Sequence, residues 1–172
     1  RQGFLGGSLE LITSQTITSM TSAVDFTEVF TDKYDVYFFQ YKKMQSSVNA
    51  FALGMQFYES GVLETAGVYQ YAMQGGRTSP LFFESKSTTE SFINVGGDTD
   101  TDSGNSANGY VYIYNPTNSA KFTFTNQHSV AQYDTTTNFR FGGGVLPQAS
   151  TVNGFRLRLA TTGNITGEFF LY

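Results

Sequence analysis

The chain has 172 residues, including 17 Phe and 11 Tyr but no Cys, and its net charge is −4. This length can bury one substantial core, and the high aromatic content argues against a disordered protein. Without cysteine, neither a disulfide framework nor a thiolate metal site can form. We expect no nucleic-acid or membrane partner, because the basic residues are scattered and no apolar run approaches the ~20 residues that cross a bilayer.

Alternation of apolar and polar residues with a period of two recurs along the chain and predicts β-strands. The segments SLELITSQTITSM and SAVDFTEVF, residues 8–20 and 22–30, supply the first two or three strands. Residues 35–42 are apolar on both faces, so this strand is buried on both sides or contacts a partner chain. In residues 49–59 the apolar side chains at alternate positions from Phe51 to Phe57 share one face, as in a half-buried strand.

The later strands lie mostly between turn signals. Asn-Gly favours positive φ at both residues, so we predict that Asn108-Gly109 and Asn153-Gly154 each begin a strand from a tight reversal. Glycine pairs and runs are read as turns in the same way. The predicted strands are residues 67–74, 80–85, 91–95, 109–115, 120–127, 138–142, 153–160 and 164–172, and the glycine turns are at 75–76, 96–97 and 142–144.

About ten short strands with turn signals at short intervals are typical of an all-β sandwich or barrel. No linker composition and no fixed repeat interrupts the series. We therefore predict a single-domain, two-sheet antiparallel β-sandwich over residues 8–172. Residues 1–7, RQGFLGG, are predicted to be an N-terminal arm that leads into the domain.

The segment GGDTDTDSGNSANG, residues 96–109, carries Asp98, Asp100 and Asp102 at alternate positions, a spacing that suits calcium. An EF-hand loop would need glycine at the sixth place and glutamate at the twelfth, but this chain has Ser103 and Gly109 there. We interpret the segment as a solvated connection whose three aspartates belong to a contact surface. A calcium site is the less favoured alternative, and we predict no metal and no cofactor.

Catalytic residues are not indicated. His128 is the only histidine, and no G-x-S-x-G elbow accompanies it, so we interpret it as a hydrogen-bonding or loop residue rather than a general base. Two carboxylates in a cleft could hydrolyse glycosidic bonds, and the sequence cannot place the candidate acids. We predict that the protein is not an enzyme and keep glycan degradation as a third hypothesis. The candidate acids are Glu59, Glu64, Glu84, Glu90, Glu168 and Asp134.

In the segment GYVYIYN, Tyr110, Tyr112 and Tyr114 share one face, and Val111 and Ile113 share the other, which we assign to the core. Tyrosine combines apolar area with a polar tip and is enriched at interfaces. The tyrosine face is a second packing layer, an intermolecular contact surface or a platform for sugar stacking. Together with the three aspartates, the tyrosines form the predicted contact surface.

Three segments together resemble β-rich structural proteins of tailed-bacteriophage virions, especially phages of aquatic bacteria. They are DFTEVFTDKYDVYFFQY, GYVYIYNPTNSAKFTF and NGFRLRLATTGNITGEFFLY. The shared elements are a Tyr-Asn-Pro unit between strands, here Tyr114-Asn115-Pro116, and a closing strand, here Gly163 to Tyr172. The resemblance implies a jelly-roll β-sandwich that forms a homotrimer and contacts other virion proteins, and it does not imply any catalytic residue.

Our first hypothesis is a tail-fibre or appendage domain of the virion that contributes to attachment to a host-surface glycan or protein. Repeated weak sites on a symmetric trimer would gain avidity from their high effective concentration. The alternative is a capsid decoration protein, of the cement or head-fibre type, that stabilises the head. In that case the aromatic faces would be buried against the shell.

Overall fold

The computed structural model describes residues 9–49, 52–79 and 81–172. The predicted arm, residues 1–7, and Phe51 lie outside the described residues. Within these ranges the chain forms thirteen β-strands and contains no helix, so none that could cross a membrane. The strands are β1 Thr13–Thr21, β2 Val24–Phe26, β3 Val36–Ser46, β4 Leu53–Glu59, β5 Val62–Leu63, β6 Tyr69–Arg77, β7 Leu81–Glu90, β8 Ile93–Asn94, β9 Ala107–Tyr114, β10 Thr123–Tyr133, β11 Thr136–Leu146, β12 Val152–Leu159 and β13 Ile165–Leu171.

The strands form two antiparallel sheets. The large sheet has eight strands in the order β1-β13-β3-β9-β10-β11-β6-β7, and the small sheet has the order β2-β12-β4-β5, with β8 also paired to β4. The all-β, two-sheet prediction is confirmed. The jelly-roll detail implied by the resemblance is not confirmed by this strand order.

Aromatic rings join the two sheets at the centre of the core. Phe155 of the small sheet stacks on Phe26 with ring centroids 4.8 Å apart and meets Phe39 of the large sheet edge-on at 5.0 Å. Phe169 stacks beside Phe39, and all four rings are at most 1% exposed. Burying one such side chain contributes about 1.5–3 kcal/mol. These contacts fix the small sheet over one part of the large sheet.

The predicted reversals at Asn108-Gly109 and Asn153-Gly154 are wrong, because both pairs lie inside strands. A Cβ on Gly109 would lie 2.4 Å from the Tyr41 hydroxyl, and a Cβ on Gly154 would lie 2.2 Å from the Phe26 carbonyl oxygen. Asn108 Oδ1 accepts a hydrogen bond from the Lys43 N–H (3.0 Å), where β3 has an irregular register and φ of Lys43 is 52°. Glycine is therefore required at these positions because other segments of the same chain approach closely, and not because the chain reverses direction there.

The glycines at 75–76 and 142–144 also lie inside strands, β6 and β11, and not in the predicted turns. A Cβ on Gly142 would lie 2.2 Å from the Ala72 carbonyl oxygen on the neighbouring strand. A Cβ on Gly76 would lie 2.7 Å from the ring of Phe139, which covers it. Glycine therefore allows close packing in this part of the large sheet.

The Tyr-Asn-Pro unit forms a corner in the connection from β9 to β10, where the chain contacts the small sheet. β9 ends at Tyr114, and Asn115 has φ of 57°, a left-handed conformation that asparagine tolerates better than most residues. The carbonyl oxygen of Pro116 then accepts a hydrogen bond from the N–H of Val152 (2.7 Å), the first residue of β12. The corner thus links a central strand of the large sheet to the small sheet.

Candidate functional site

The outer face of the large sheet, which points away from the small sheet, carries exposed aromatic side chains. In one cross-strand row, Val130 of β10 lies opposite Phe139 of β11, which lies opposite Gly76 of β6, which in turn lies opposite Phe82 of β7. In a second row, Tyr110 of β9 lies opposite His128 of β10, which lies opposite Phe141 of β11. We call the following outward-pointing residues the aromatic face: Tyr110, Tyr112, Tyr114, Phe124, Val130, Phe139, Phe141, Val145 and Phe82. Phe82 is 84% exposed, and Phe124, Val130, Phe139 and Phe141 are 38–48% exposed.

The four central strands of this face, β9, β10, β11 and β6, present no charged side chain outward. Besides the tyrosines, their outward polar residues are amides, one imidazole and one aliphatic hydroxyl: Asn108, Asn126, His128, Gln132, Gln70, Gln74 and Thr137. Charged groups begin at the flanking strands, with the Glu84–Lys86 pair on β7 and with Lys42 on β3. Depletion of charge and enrichment of aromatic rings are the two compositional signals of the centre of a protein–protein interface.

The three tyrosines of β9 point outward, and Val111 and Ile113 are fully buried, so the assignment of the two faces is confirmed. Tyr112 packs against Tyr110 and Phe38, with ring centroids 5.9 and 5.1 Å apart. Tyr112 is 39% exposed, whereas Tyr110 and Tyr114 are half-buried. The tyrosines therefore form an outer aromatic layer whose rings support one another and are still accessible.

Two open hollows lie between the side chains of the aromatic face. The larger, of about 720 Å³, is bordered by Phe124 and Val145, and its lining includes Ala72, Gly143 and the charged Lys86 of β7. The second, of about 410 Å³, is lined by Phe82, Phe139 and Phe141 together with two polar residues, Gln74 and Glu84. The face thus combines a protruding ring at β7 with recesses over β11 and β6.

The prediction that residues 96–109 form a solvated connection is wrong for their first part, because residues 96–100 are buried. Asp98 is 6% exposed and accepts hydrogen bonds from Arg140 (2.5 Å) and Arg77 (3.2 Å). Both guanidinium groups lie over the ring of Phe83, at 5.1 and 5.4 Å from its centroid. Asp98 is therefore a structural anchor and is not part of an exposed contact surface.

Asp100 is also buried, at 3% exposed, and Asp102 is exposed. Asp100 accepts hydrogen bonds from Asn105 Nδ2 (2.9 Å) and from the backbone N–H of Asp134 (2.6 Å) and Asp102 (3.0 Å). Burial acts to raise the pKa of Asp100, but these hydrogen bonds outweigh burial and hold the pKa below its ordinary value. Of the three aspartates, only Asp102 is on the surface.

The buried part of the loop covers the inner face of β10 and β11, which is polar. Asn138 Nδ2 donates to the Asp98 carbonyl oxygen (3.1 Å), and Gln127 Nε2 donates to the Asn94 carbonyl oxygen (2.9 Å). Tyr41 donates to the carbonyl oxygen of Val95 (3.1 Å), and burial raises the pKa of its phenol. Because these polar side chains point inward, the alternate residues of β10 and β11, which include three Phe and two Val, point outward and contribute to the aromatic face.

Potential metal ligands are dispersed in the structure, but two of the candidate acids, Glu59 and Glu64, both lie beside the Gln148 amide. Among residues 9–49, 52–79 and 81–172, no three His, Asp or Glu side chains are grouped closely enough to hold a metal ion. Glu59 accepts hydrogen bonds from Ser150 and, in the amide orientation that satisfies both ends of Gln148, from Gln148 Nε2 (2.6 Å), and Glu64 lies beside the same amide. His128 lies within β10 rather than in a loop, and its exposed ring contacts Tyr110.

The sequence interpretation did not single out the phenylalanines of the aromatic face or the anchoring role of Asp98. A signal was present in FTFTN and NFRF, residues 122–126 and 138–141, where aromatic residues alternate with Thr, Asn and Arg. Alternation shows that two faces differ but does not show which one is buried. The charged partner of Arg140 lies 42 residues away in the chain, so its pairing was not visible locally.

The chain matches no protein-family model, no curated protein and no solved structure. The resemblance to phage virion proteins therefore stays a prediction that depends on the quoted segments.

Proposed function

We propose that this chain is a structural protein of a tailed-bacteriophage virion, a tail-fibre or appendage domain that contributes to host-surface attachment. The observation that supports the proposal most directly is the aromatic face, which is uncharged on four adjacent strands. An exposed apolar surface of this kind marks a protein interaction site. The resemblance of the Tyr-Asn-Pro corner and the closing strand to phage proteins supplies the virion context.

The aromatic face lies on a rigid support, which suits a permanent assembly contact. Inward from the face, the core rings of the two sheets interlock, and the Asp98–Arg140 pair holds the loop against β11. Binding surfaces on strands are held more precisely than surfaces on loops. An interface built on this sheet would therefore need little reorganisation when the particle assembles.

The surface available for contact with a host is the tip of the loop, residues 101–104, which is exposed. Gln45 Nε2 donates to the carbonyl oxygens of Asp102 (3.3 Å) and Ser103 (3.2 Å), so the tip is tied to β3. A tied loop loses less conformational entropy when it binds a ligand. Weak contact by each copy would be multiplied on an assembled appendage.

Labelling virions with an antibody against this chain tests the location. We expect signal on the tail or its appendages. Signal restricted to heads would overturn the appendage role and favour the capsid decoration alternative, in which the aromatic face contacts the shell. Absence of the chain from purified virions would overturn both.

Competition with infection tests attachment. Purified chain added to host cells should lower the number of infections, and the Asp102→Lys variant should compete less well because it changes the charge of the tip. The matched control is Asp32→Lys, at another exposed acidic residue outside the tip. Failure of the unmodified chain to compete, or an equal loss in both variants, would contradict contact through the tip.

A further inference from the structure

We propose that the aromatic face is covered by further copies of the same chain, with Phe82 of one copy seated in the hollow beside Phe124 of the next. This inference deepens the proposed function by naming the partner of its assembly surface, and it rests on that function. The partner follows from three properties of the face: its charge, its area and its relief.

The charge pattern favours self-association. The chain has a net charge of −4, yet β9, β10, β11 and β6 present no charged side chain on the outer face. Two copies can therefore meet through these strands without like charges in contact, which would otherwise be destabilising. A strongly charged partner, such as a nucleic acid, would find no counter-charge there.

The exposed side chains of the face supply most of the area that one partner of a stable interface buries. Six side chains of the face, Tyr112, Phe124, Val130, Phe139, Phe141 and Phe82, are 38–84% exposed. With about 200 Å² for each aromatic side chain, they offer about 600 Å². A specific interface of standard size buries about 800 Å² on each partner. The amides between the rings can supply the remainder.

The aromatic face carries both a projecting ring and a recess. Phe82 is the most exposed aromatic residue among those described, at 84%. Its ring leans over Gly76, where an added Cβ would lie 3.1 Å from the ring. The hollow of about 720 Å³ between Phe124 and Ala72 is large enough to accept such a ring. A projection and a recess on one chain give a head-to-tail contact, which forms a closed ring when the rotation between copies closes.

The test is the mass of the purified full chain in solution, measured by light scattering and sedimentation over a wide concentration range. We expect a multiple of the 19.0 kDa monomer mass. Phe82→Ser removes the projecting ring, and Ala72→Lys adds a second positive charge to the hollow, opposite Lys86. Each should weaken assembly about tenfold or more, as expected for central interface residues. Both residues are exposed, so the folded monomer should tolerate the changes.

The matched control is Val62→Ser, at an apolar residue of β5 in the small sheet that is 71% exposed. This variant should assemble as the unmodified chain does. Thermal unfolding followed by circular dichroism checks that each variant is folded. A monomeric unmodified chain, or assembly that neither Phe82→Ser nor Ala72→Lys weakens, would overturn the inference. A monomer found on phage tails would overturn it and leave the proposed function standing.

Discussion

Replacing Asp98 with alanine should destabilise the fold strongly, because Arg140 would lose its carboxylate partner inside the protein. The Arg140 side chain is only 8% exposed, so its charge cannot be hydrated without moving the strand or the loop. Removing one member of a buried ion pair costs about 3–5 kcal/mol. Arg77 is 32% exposed and can turn toward water, so we expect a value in the lower half of this range.

Chemical and thermal unfolding at one fixed protein concentration measure the effect. For a chain of this size, 1 kcal/mol corresponds to about 2–4 °C, so the melting temperature should fall by about 10 °C. The control Asp102→Ala, in the same loop but exposed, should change the free energy of unfolding by less than about 0.5 kcal/mol. The double variant Asp98→Ala/Arg140→Met should be more stable than Asp98→Ala, since no charge is stranded. A loss below about 1 kcal/mol for Asp98→Ala would refute the anchoring role.

Three further predictions concern backbone packing, pH and the core. Gly142→Ala should lower the free energy of unfolding by about 1–3 kcal/mol, as expected for overpacking, because its Cβ would lie 2.2 Å from a backbone oxygen. Gly104→Ala, with open space around it, should leave the free energy of unfolding nearly unchanged. Equal effects of the two substitutions would contradict the packing argument. For Asp100→Asn, the loss in unfolding free energy should be complete near pH 6 and should shrink as the pH falls below about 4, because the Asp100 pKa is held below its unfolded value of about 3.9 and its stabilisation is lost as the pH falls through the folded pKa. A pH-independent difference would exclude this linkage. Phe155→Ala should cost about 3–5 kcal/mol in denaturant unfolding, and the exposed control Val62→Ala should cost less than about 0.5 kcal/mol.

The strand content could be predicted because a half-buried strand imposes a period of two on the sequence. The segment GYVYIYN shows this well: Val111 and Ile113 are buried, and Tyr110, Tyr112 and Tyr114 point outward. Turn positions were less predictable. Asn153-Gly154 has the local chemistry of a reversal, but Gly154 lies in β12 where the Phe26 backbone approaches closely.

The loop at residues 96–109 shows that contacts near the candidate site were also not predictable from the local sequence. Alternating aspartates indicate either ligands or a solvated turn, and neither interpretation describes Asp98 and Asp100, which are buried. Their partners, Arg140 and the backbone of Asp134, are distant in sequence. Only folding brings them together, so no local pattern could assign them.

The sequence by itself determined that the chain forms an all-β sandwich with two chemically different faces on many strands. The tertiary structure decided which face is inside. In β11, Arg140 points inward because Asp98 and the ring of Phe83 receive its guanidinium, and Phe139 and Phe141 must then point outward. A period of two fixes the alternation, but the burial of a charged side chain depends on a counter-charge that only the fold can deliver.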